Sequence, residues 1–377
     1  MIVDMDQTWS QRADAAEAAI LDRHVRRVWG LPGTALGVIG WPAARHERLF
    51  LQWHYWWQAH VIDCAIDAAG RRPTPERAER VQHLIRSHRM RNITAWTNNY
   101  YDDMAWMGLA VERAQRLELV DGRVAITALE RDIYDAWAPE EGGGIPWRRG
   151  DDFYNTPANG PAGIFLARTG KLTRAIEMAD WLDDNLRDPE SGLMLDGVHY
   201  NKGQRSQLED AIYTYCQGVV LGLETELAVR TGDPRHAPRV RALVDAVATH
   251  LTTDDVLHGR GGGDGGLFAG ILARYLAFVA VMLPGDEPAD VAARDAAARI
   301  VLASANAAWD NSIEIEGLPL FGPDWTQPAT TPVLGSALST FTGGTVRSSA
   351  IAERDLSVQT SGWMVIEAAY VVAASRP

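Results

Sequence analysis

With 377 residues, 46% of them hydrophobic and 23% charged, the chain can bury a large core, as two or three domains or as one closed barrel. A formal net charge of −13 excludes the basic face that nucleic acid or an anionic membrane surface would need. Cys64 and Cys216 are too few for a disulfide framework or a four-ligand zinc site, and the ten histidines form no H-E-x-x-H or Cys/His cluster, so neither a metal nor any other cofactor is expected.

The chain opens MIVDMDQTWS, without a basic n-region or an apolar run. No signal peptide is expected, which makes the location cytoplasmic as written, or secreted if a leader has been trimmed. Helical periodicity begins at 10–29 and resumes at 47–69, where WWQAHVIDCAIDA (Trp56 to Ala68) is apolar nearly all round. Segment 74–90 is amphipathic, with Val81, Leu84 and Ile85 on one face. Segment 101–117 is apolar again, and 122–137 shows Ile126, Leu129 and Ile133 on one face with charge opposite. Segments 156–169 and 171–187 meet at the tight turn Arg168-Thr169-Gly170, and 207–230 and 234–250 at Arg230-Thr231-Gly232, a recurring R-T-G signature of a repeated helical hairpin.

GRGGGDGG (Gly259 to Gly266) lacks the Gly-Lys-Ser/Thr ending of a phosphate loop and reads as a flexible entry to segment 264–283. LFAGILARYLAFVAVML (Leu267 to Leu283) has only the shorter end of spanning length and carries Arg274 near its middle. It is expected to be a buried core helix rather than a membrane span, with Arg274 in an ion pair. Segments 287–308 and 356–374 complete the series, and no convincing run of alternating strand residues intervenes.

Segments at 47, 101, 207, 264 and 356 are apolar nearly all round, whereas those between them are one-sided. Connections alternate as well: short turns follow inner helices, and long connections at 30–46, 91–100, 138–155, 188–206, 252–263 and 309–355 precede them. Twelve helices of alternating burial, with the first paired to the last, predict an all-α fold, an (α/α)6 barrel, as a single domain over 1–377. The long loops gather at the amino-terminal ends of the inner helices, and the site is expected there.

Asp102 and Asp103, in NNYYDDMAW, fall at that mouth on the first turn of an inner helix. Asp is common at helix starts as a cap, and Asp151-Asp152, Asp183-Asp184 and Asp254-Asp255 repeat the dipeptide. Here, however, Trp96, Tyr100, Tyr101 and Trp106 surround it, and aromatic faces suit the apolar faces of sugars. Adjacent Cα atoms lie ~3.8 Å apart, which keeps the two carboxyls close. A separation of ~5–5.5 Å favours retaining, double-displacement glycoside hydrolysis.

WTNNYYDDMAW resembles the catalytic motif of glycoside hydrolase family 76, the endo-α-1,6-mannanases. WWQAHVIDCAIDA, GGGIPWRRGDDFYNTPANGP (Gly142 to Pro161), GLMLDGV (Gly192 to Val198), YTYCQGVVLGL (Tyr213 to Leu223) and FAGILARYL (Phe268 to Leu276) follow in the family's order, over roughly 47 to 280. The resemblance implies the (α/α)6 barrel and retaining hydrolysis of α-1,6-mannan or manno-oligosaccharides. Asp102 would be the nucleophile and Asp103 the acid/base. Through these motifs it also implies substrate-binding roles for Gln58, Asn99, Tyr101, Trp147, Asn155, Asn159, Asp196 and Gln217. Tyr154-Asn155 stands where the family has Lys-Asn, Tyr215-Cys216-Gln217-Gly218 for Tyr-Asn-Gln-Gly, and Phe268-Ala269-Gly270 for Phe-Lys-Gly. These departures allow a different sugar, a shorter oligosaccharide or an exo-type cleft.

From chemistry alone, Trp147 would stack on a sugar ring, and Arg148 or Arg149 would bind a hydroxyl or phosphate. Asn155, Asn159, Asp196 and Gln217 suit sugar hydroxyls, or cap the helices that follow them. Two rivals stand beside hydrolysis: a sugar 2-epimerase using His60, His199 or His258 as proton shuttles, and a catalytically silent glycan-binding protein. Oligomeric state is open.

Overall fold

The computed structural model describes residues 5–201, 203–259, 261–333 and 337–375. In chain order its α-helices are α1 (Met5–Arg23), α2 (Arg45–Arg48), α3 (Tyr55–Arg71), α4 (Pro75–Arg91), α5 (Tyr101–Arg116), α6 (Arg123–Tyr134) and α7 (Thr156–Arg168). They continue with α8 (Leu172–Leu186), α9 (Thr214–Thr231), α10 (His236–His250), α11 (Phe268–Met282), α12 (Pro288–Asp310) and α13 (Leu356–Ala374). Most starts and ends lie close to the sequence expectation. The three largest differences each have a local backbone reason; α1 also starts earlier, at Met5, and α11 later, at Phe268.

Segment 10–29 ends early, at Arg23, because Val25–Arg26 pairs with Leu36–Gly37 as a short antiparallel ladder. Segment 47–69 starts late, at Tyr55, because Phe50 and His54 take positive φ (55° and 45°), which no helix accommodates. Segment 207–230 starts at Thr214, because Gln204–Glu209 pairs with Gly197–Asn201, which in turn pairs with Phe153–Asn155. These strands correct the expectation of none. The stretch QRSQLE carries no alternating apolar signal because it is an edge strand with exposed side chains.

The chain forms two compact units, each drawn from separated stretches of sequence. Unit 1 comprises residues 1–91, 252–277 and 298–377. In it α13 is buried over nearly its whole length, from Leu356 to Ala369, and packs on α1 and α3, while α3 packs on α4. First and last helices are thus partners, as the sequence implied. Arg274 of α11 lies between Asp63 (2.7 Å) and Asp67 (2.6 Å) of α3, the ion pair its apolar setting required. Gly263–Met282 has the length and mean hydropathy (1.8) of a membrane span, but 61% of that window is buried inside the protein, as in a core helix.

Unit 2 comprises residues 92–251 and 278–297. Its central helix, α7, is buried at every position from Thr156 to Ala167 and packs between α5 and α9. The flanking α6 buries one stripe, Ala125, Leu129 and Ile133, and α8 and α10 are likewise one-sided. Close approach of α7 to α9 depends on glycine: a Cβ on Gly160 would sit 2.4 Å from Val219, and one on Gly163 2.7 Å from Leu223. Of the two R-T-G turns, Gly232 closes α9 with left-handed φ (66°). Both signature arginines then meet one carboxylate, with Arg168 3.1 Å and Arg230 2.6 Å from Glu226.

Candidate active site

Helix α5 begins on Tyr100, whose side chain makes no cap hydrogen bond. The orphan N–H of Tyr101 is met instead by the carbonyl of Trp147 (2.9 Å), and the N–H of Arg149 donates to the carbonyl of Asn99 (2.9 Å). Two loops, 92–100 and 142–153, are thereby joined at the start of α5. Asn92 stiffens the first by donating to the carbonyls of Ala95 (3.0 Å) and Thr97 (3.1 Å). Trp147 is fixed in the second by its N–H to the carbonyl of Phe153 (2.7 Å).

Asp102 and Asp103 lie one and two residues into α5, both half-buried. Asp102 accepts the indole N–H of Trp147 on Oδ2 (2.9 Å) and the N–H of Asp103 on Oδ1 (2.8 Å). Asp103 accepts from the Asn98 amide, whose own oxygen accepts from the N–H of Tyr100 (2.8 Å). The two carboxyls therefore have different environments. Asp102 meets two fixed N–H donors, on top of the positive end of the α5 dipole, and both favour the anion. Capping alone does not account for bonds that reach into two separate loops. Tyr100 packs edge-on against Trp147 (5.3 Å between centroids), and Tyr101 is buried beneath Arg149 (5.4 Å). Asn99 is exposed. Arg148 and Arg149 are occupied by Asp151 and Asp132, respectively.

The amides expected to touch sugar prove to be framework, a correction with a shared physical cause. Gln58 in unit 1, at the fourth position of α3, accepts from the N–H of Gly37 (2.8 Å) and donates to the carbonyls of Gly37 (2.9 Å) and Trp53 (2.7 Å). Asn159, at the fourth position of α7, does the same with Ile145 (2.8 and 2.9 Å) and Asn155 (2.9 Å). Gln217, fourth in α9, holds Met194 (2.7 and 2.9 Å) and Tyr213 (2.9 Å). All three side chains are fully buried with both amide protons engaged, so none is offered to a ligand. Gln359, fourth in α13, binds Phe321 and Glu353 in the same way and was not singled out from sequence. Helix α5 breaks the series: Met104 stands at its fourth position, and the carboxyls come just before it. Asn155 caps α7 by accepting from the N–H of Ala158 (3.1 Å).

Asp196 lies within electrostatic reach of Asp102. Its N–H donates to the carbonyl of Ala211 (2.8 Å) and its carbonyl accepts from Thr156 (2.8 Å), at the base of the hairpin formed by Gly197–Asn201 and Gln204–Glu209. Burial, then the charges of Glu209 and Asp102, push its carboxyl up to about 7, against a smaller opposing effect of His199. Between its unfolded value near 4 and about 7, the folded chain keeps a proton that the unfolded chain has released. Its contribution to stability is thus full below that window and is lost as the pH rises through it. Asp196→Asn is expected to be more stable than the parent at about pH 8 by on the order of 1–4 kcal/mol, and equal to it near pH 4, by urea unfolding.

Histidines of the rival reading have ordinary surroundings. His60 is buried edge-on to Trp56 (5.5 Å), where burial pushes it down to about 3, and His258 bonds Thr253 (2.9 Å). Among the described residues, no group of three or more His, Cys, Asp or Glu side chains is arranged to hold a metal ion.

The α-1,6-mannanase of glycoside hydrolase family 76 from Salegentibacter sp. HEL1_6 is 26% identical, with 97% of this chain and 99% of that chain covered and a TM-score of 0.80. Two variants of that enzyme with a pair of consecutive aspartates replaced, by Asn or by Ala, are described as inactive. They are in complex with α-1,6-mannotriose and α-1,6-mannotetrose. A Listeria innocua protein, 23% identical over 96% of each chain with a TM-score of 0.77, shares the fold. No curated protein matches. The fold class is the all-α (α/α)6 barrel of these structures. Residues 11–360 match the family model for glycosyl hydrolase family 76, and the chain belongs to that family of glycoside hydrolases.

Proposed function

We propose that the protein cleaves α-1,6-mannosidic linkages in mannan or manno-oligosaccharides with retention of anomeric configuration. The observation that carries this is the seating of two neighbouring carboxyls, on different donors, at the start of α5. Asp102 is met by the Trp147 indole and the Asp103 N–H at a helix N-terminus, and Asp103 by the Asn98 amide. An anion held in place is what a nucleophile needs, and the neighbouring carboxyl is placed to serve as acid and then base.

In the first step an Asp102 oxygen attacks the anomeric carbon while the bond to the leaving oxygen breaks, and the Asp103 proton passes to that oxygen. In the second, Asp103 takes a proton from water, the oxygen of that water bonds to the anomeric carbon, and Asp102 leaves. The half-buried indole of Trp147 does double duty, holding Asp102 and offering an aromatic edge beside it. The likeness to an α-1,6-mannanase and the loss of activity reported for its double-aspartate variants support the linkage and the pair.

The test is to incubate the protein with α-1,6-manno-oligosaccharides and follow the anomeric protons by NMR. The expected first product is the α-anomer. Initial β-anomer would overturn retention, and saturable binding without new reducing ends would make the protein a glycan binder.

A further inference from the structure

Sequence motifs point to Asn99, which is exposed, whereas its half-buried neighbour Asn98 is the one that reaches the carboxyl pair. The amide oxygen of Asn98 accepts from the N–H of Tyr100 (2.8 Å), two residues on, in the short turn that asparagine favours. A side-chain amide has one oxygen and one NH2, so this bond decides which end faces Asp103. It is Nδ2, which donates to Asp103 Oδ2 (2.5 Å). The carbonyl of Asn98 accepts from Nε of Arg149 (3.3 Å), and Arg149 is itself paired with Asp132 (2.6 Å). Turn and loop together hold the amide with its donor aimed at one oxygen of one carboxyl. Gln58, Asn159, Gln217 and Gln359 show the contrast, since their amide protons all go to backbone carbonyls.

A protonated carboxyl has one carbonyl-type oxygen and one hydroxyl, and the carbonyl-type oxygen is the better acceptor. With Nδ2 donating to Oδ2, the proton belongs on Oδ1. We propose that Asn98 is a positioning residue for the acid/base step: it fixes the rotation of the Asp103 carboxyl and makes Oδ1 the oxygen that gives and takes the proton. In the first step the Oδ1 proton passes to the leaving oxygen as the bond from that oxygen to the anomeric carbon breaks. In the second, Oδ1 takes a proton from the attacking water, so the carboxyl ends as it began. A donor on Oδ2 also favours the anion that the first step leaves behind. The proposal rests on the hydrolase reading above.

The test compares the parent protein with Asn98→Asp and Asn98→Ala in the full chain. Aspartate still accepts from the Tyr100 N–H and keeps the turn, but as an anion it cannot donate to Asp103; alanine does neither. Both variants should lose roughly 10- to 100-fold in kcat/KM on α-1,6-manno-oligosaccharides, and little on an aryl mannoside whose leaving group needs no protonation. Across a series of aryl α-mannosides, rates should depend more steeply on leaving-group acidity than in the parent. The alkaline limb of kcat/KM should move to higher pH in Asn98→Ala, where a donor to the anion is gone. It should move further in Asn98→Asp, where a second carboxylate takes its place. A role confined to the turn would spare Asn98→Asp and shift neither slope nor limb; that result, or equal losses on every leaving group, would overturn the proposal. In 1H–15N spectra of the parent, one proton of the Asn98 side-chain amide should lie downfield and move as the carboxyl titrates, its signal assigned by its absence in Asn98→Asp. Turnover without that signal would remove the assignment to Asn98. A parent protein that shows the signal but turns over no mannoside would remove the hydrolase reading, and the proposal with it.

Discussion

Asp102→Asn is expected to lower kcat on an α-1,6-manno-oligosaccharide by at least roughly 10⁴-fold, with the fold intact by circular dichroism. Asparagine keeps the shape, and its one amide oxygen can still accept from the Trp147 indole in place of Oδ2, while the backbone bonds of Tyr101 to Trp147 and of Arg149 to Asn99 keep the loops joined and the carboxylate is gone. Asp103→Asn should behave differently. It removes the proton donor, at a cost of roughly 10²–10⁴-fold on a sugar leaving group, and much less on an activated aryl mannoside that departs without protonation. Steady-state rates on both substrate types separate the roles. Equal losses on both substrates for the two variants would contradict the division of labour.

Arg274→Met is expected to destabilise the protein by about 3–5 kcal/mol, because it leaves the Asp63 and Asp67 carboxylates inside unit 1 without their cation. Methionine fills much of the same volume, so the loss reports charge rather than a cavity. Adding Asp67→Asn to Arg274→Met should recover part of it, since a buried charge then leaves along with its partner. Removing Arg123 from its exposed pair with Asp121 should leave unfolding midpoints unchanged. Urea titration of the four proteins measures all of this.

The positions of the helices were legible because their burial writes a period into the sequence, one-sided in α6 and all-round in α13. Arg274 was legible for the same reason: a guanidinium inside YLAFVAVML-like surroundings demands a carboxylate. The hairpin Gly197–Glu209 was not, since an exposed edge strand needs only backbone partners and leaves no pattern in QRSQLE. Asp102 and Asp103 stood out by their aromatic neighbours and motif, and their role as the reacting pair is a proposal. The framework roles of Gln58, Asn159 and Gln217 did not stand out, because an amide that binds sugar and one that binds backbone look alike in one dimension. A signal was nevertheless present: each stands at the fourth position of an apolar helix, and so does Gln359.

Those four side chains are neutral at every pH the protein will meet, unlike Asp102, Asp103 and Asp196. Acid or alkali that silences the chemistry therefore leaves the anchoring of the four segments at Gly37, Ile145, Met194 and Phe321 untouched. Recovery of activity after a pH excursion should need only the return of protons, without any rebuilding of the loops.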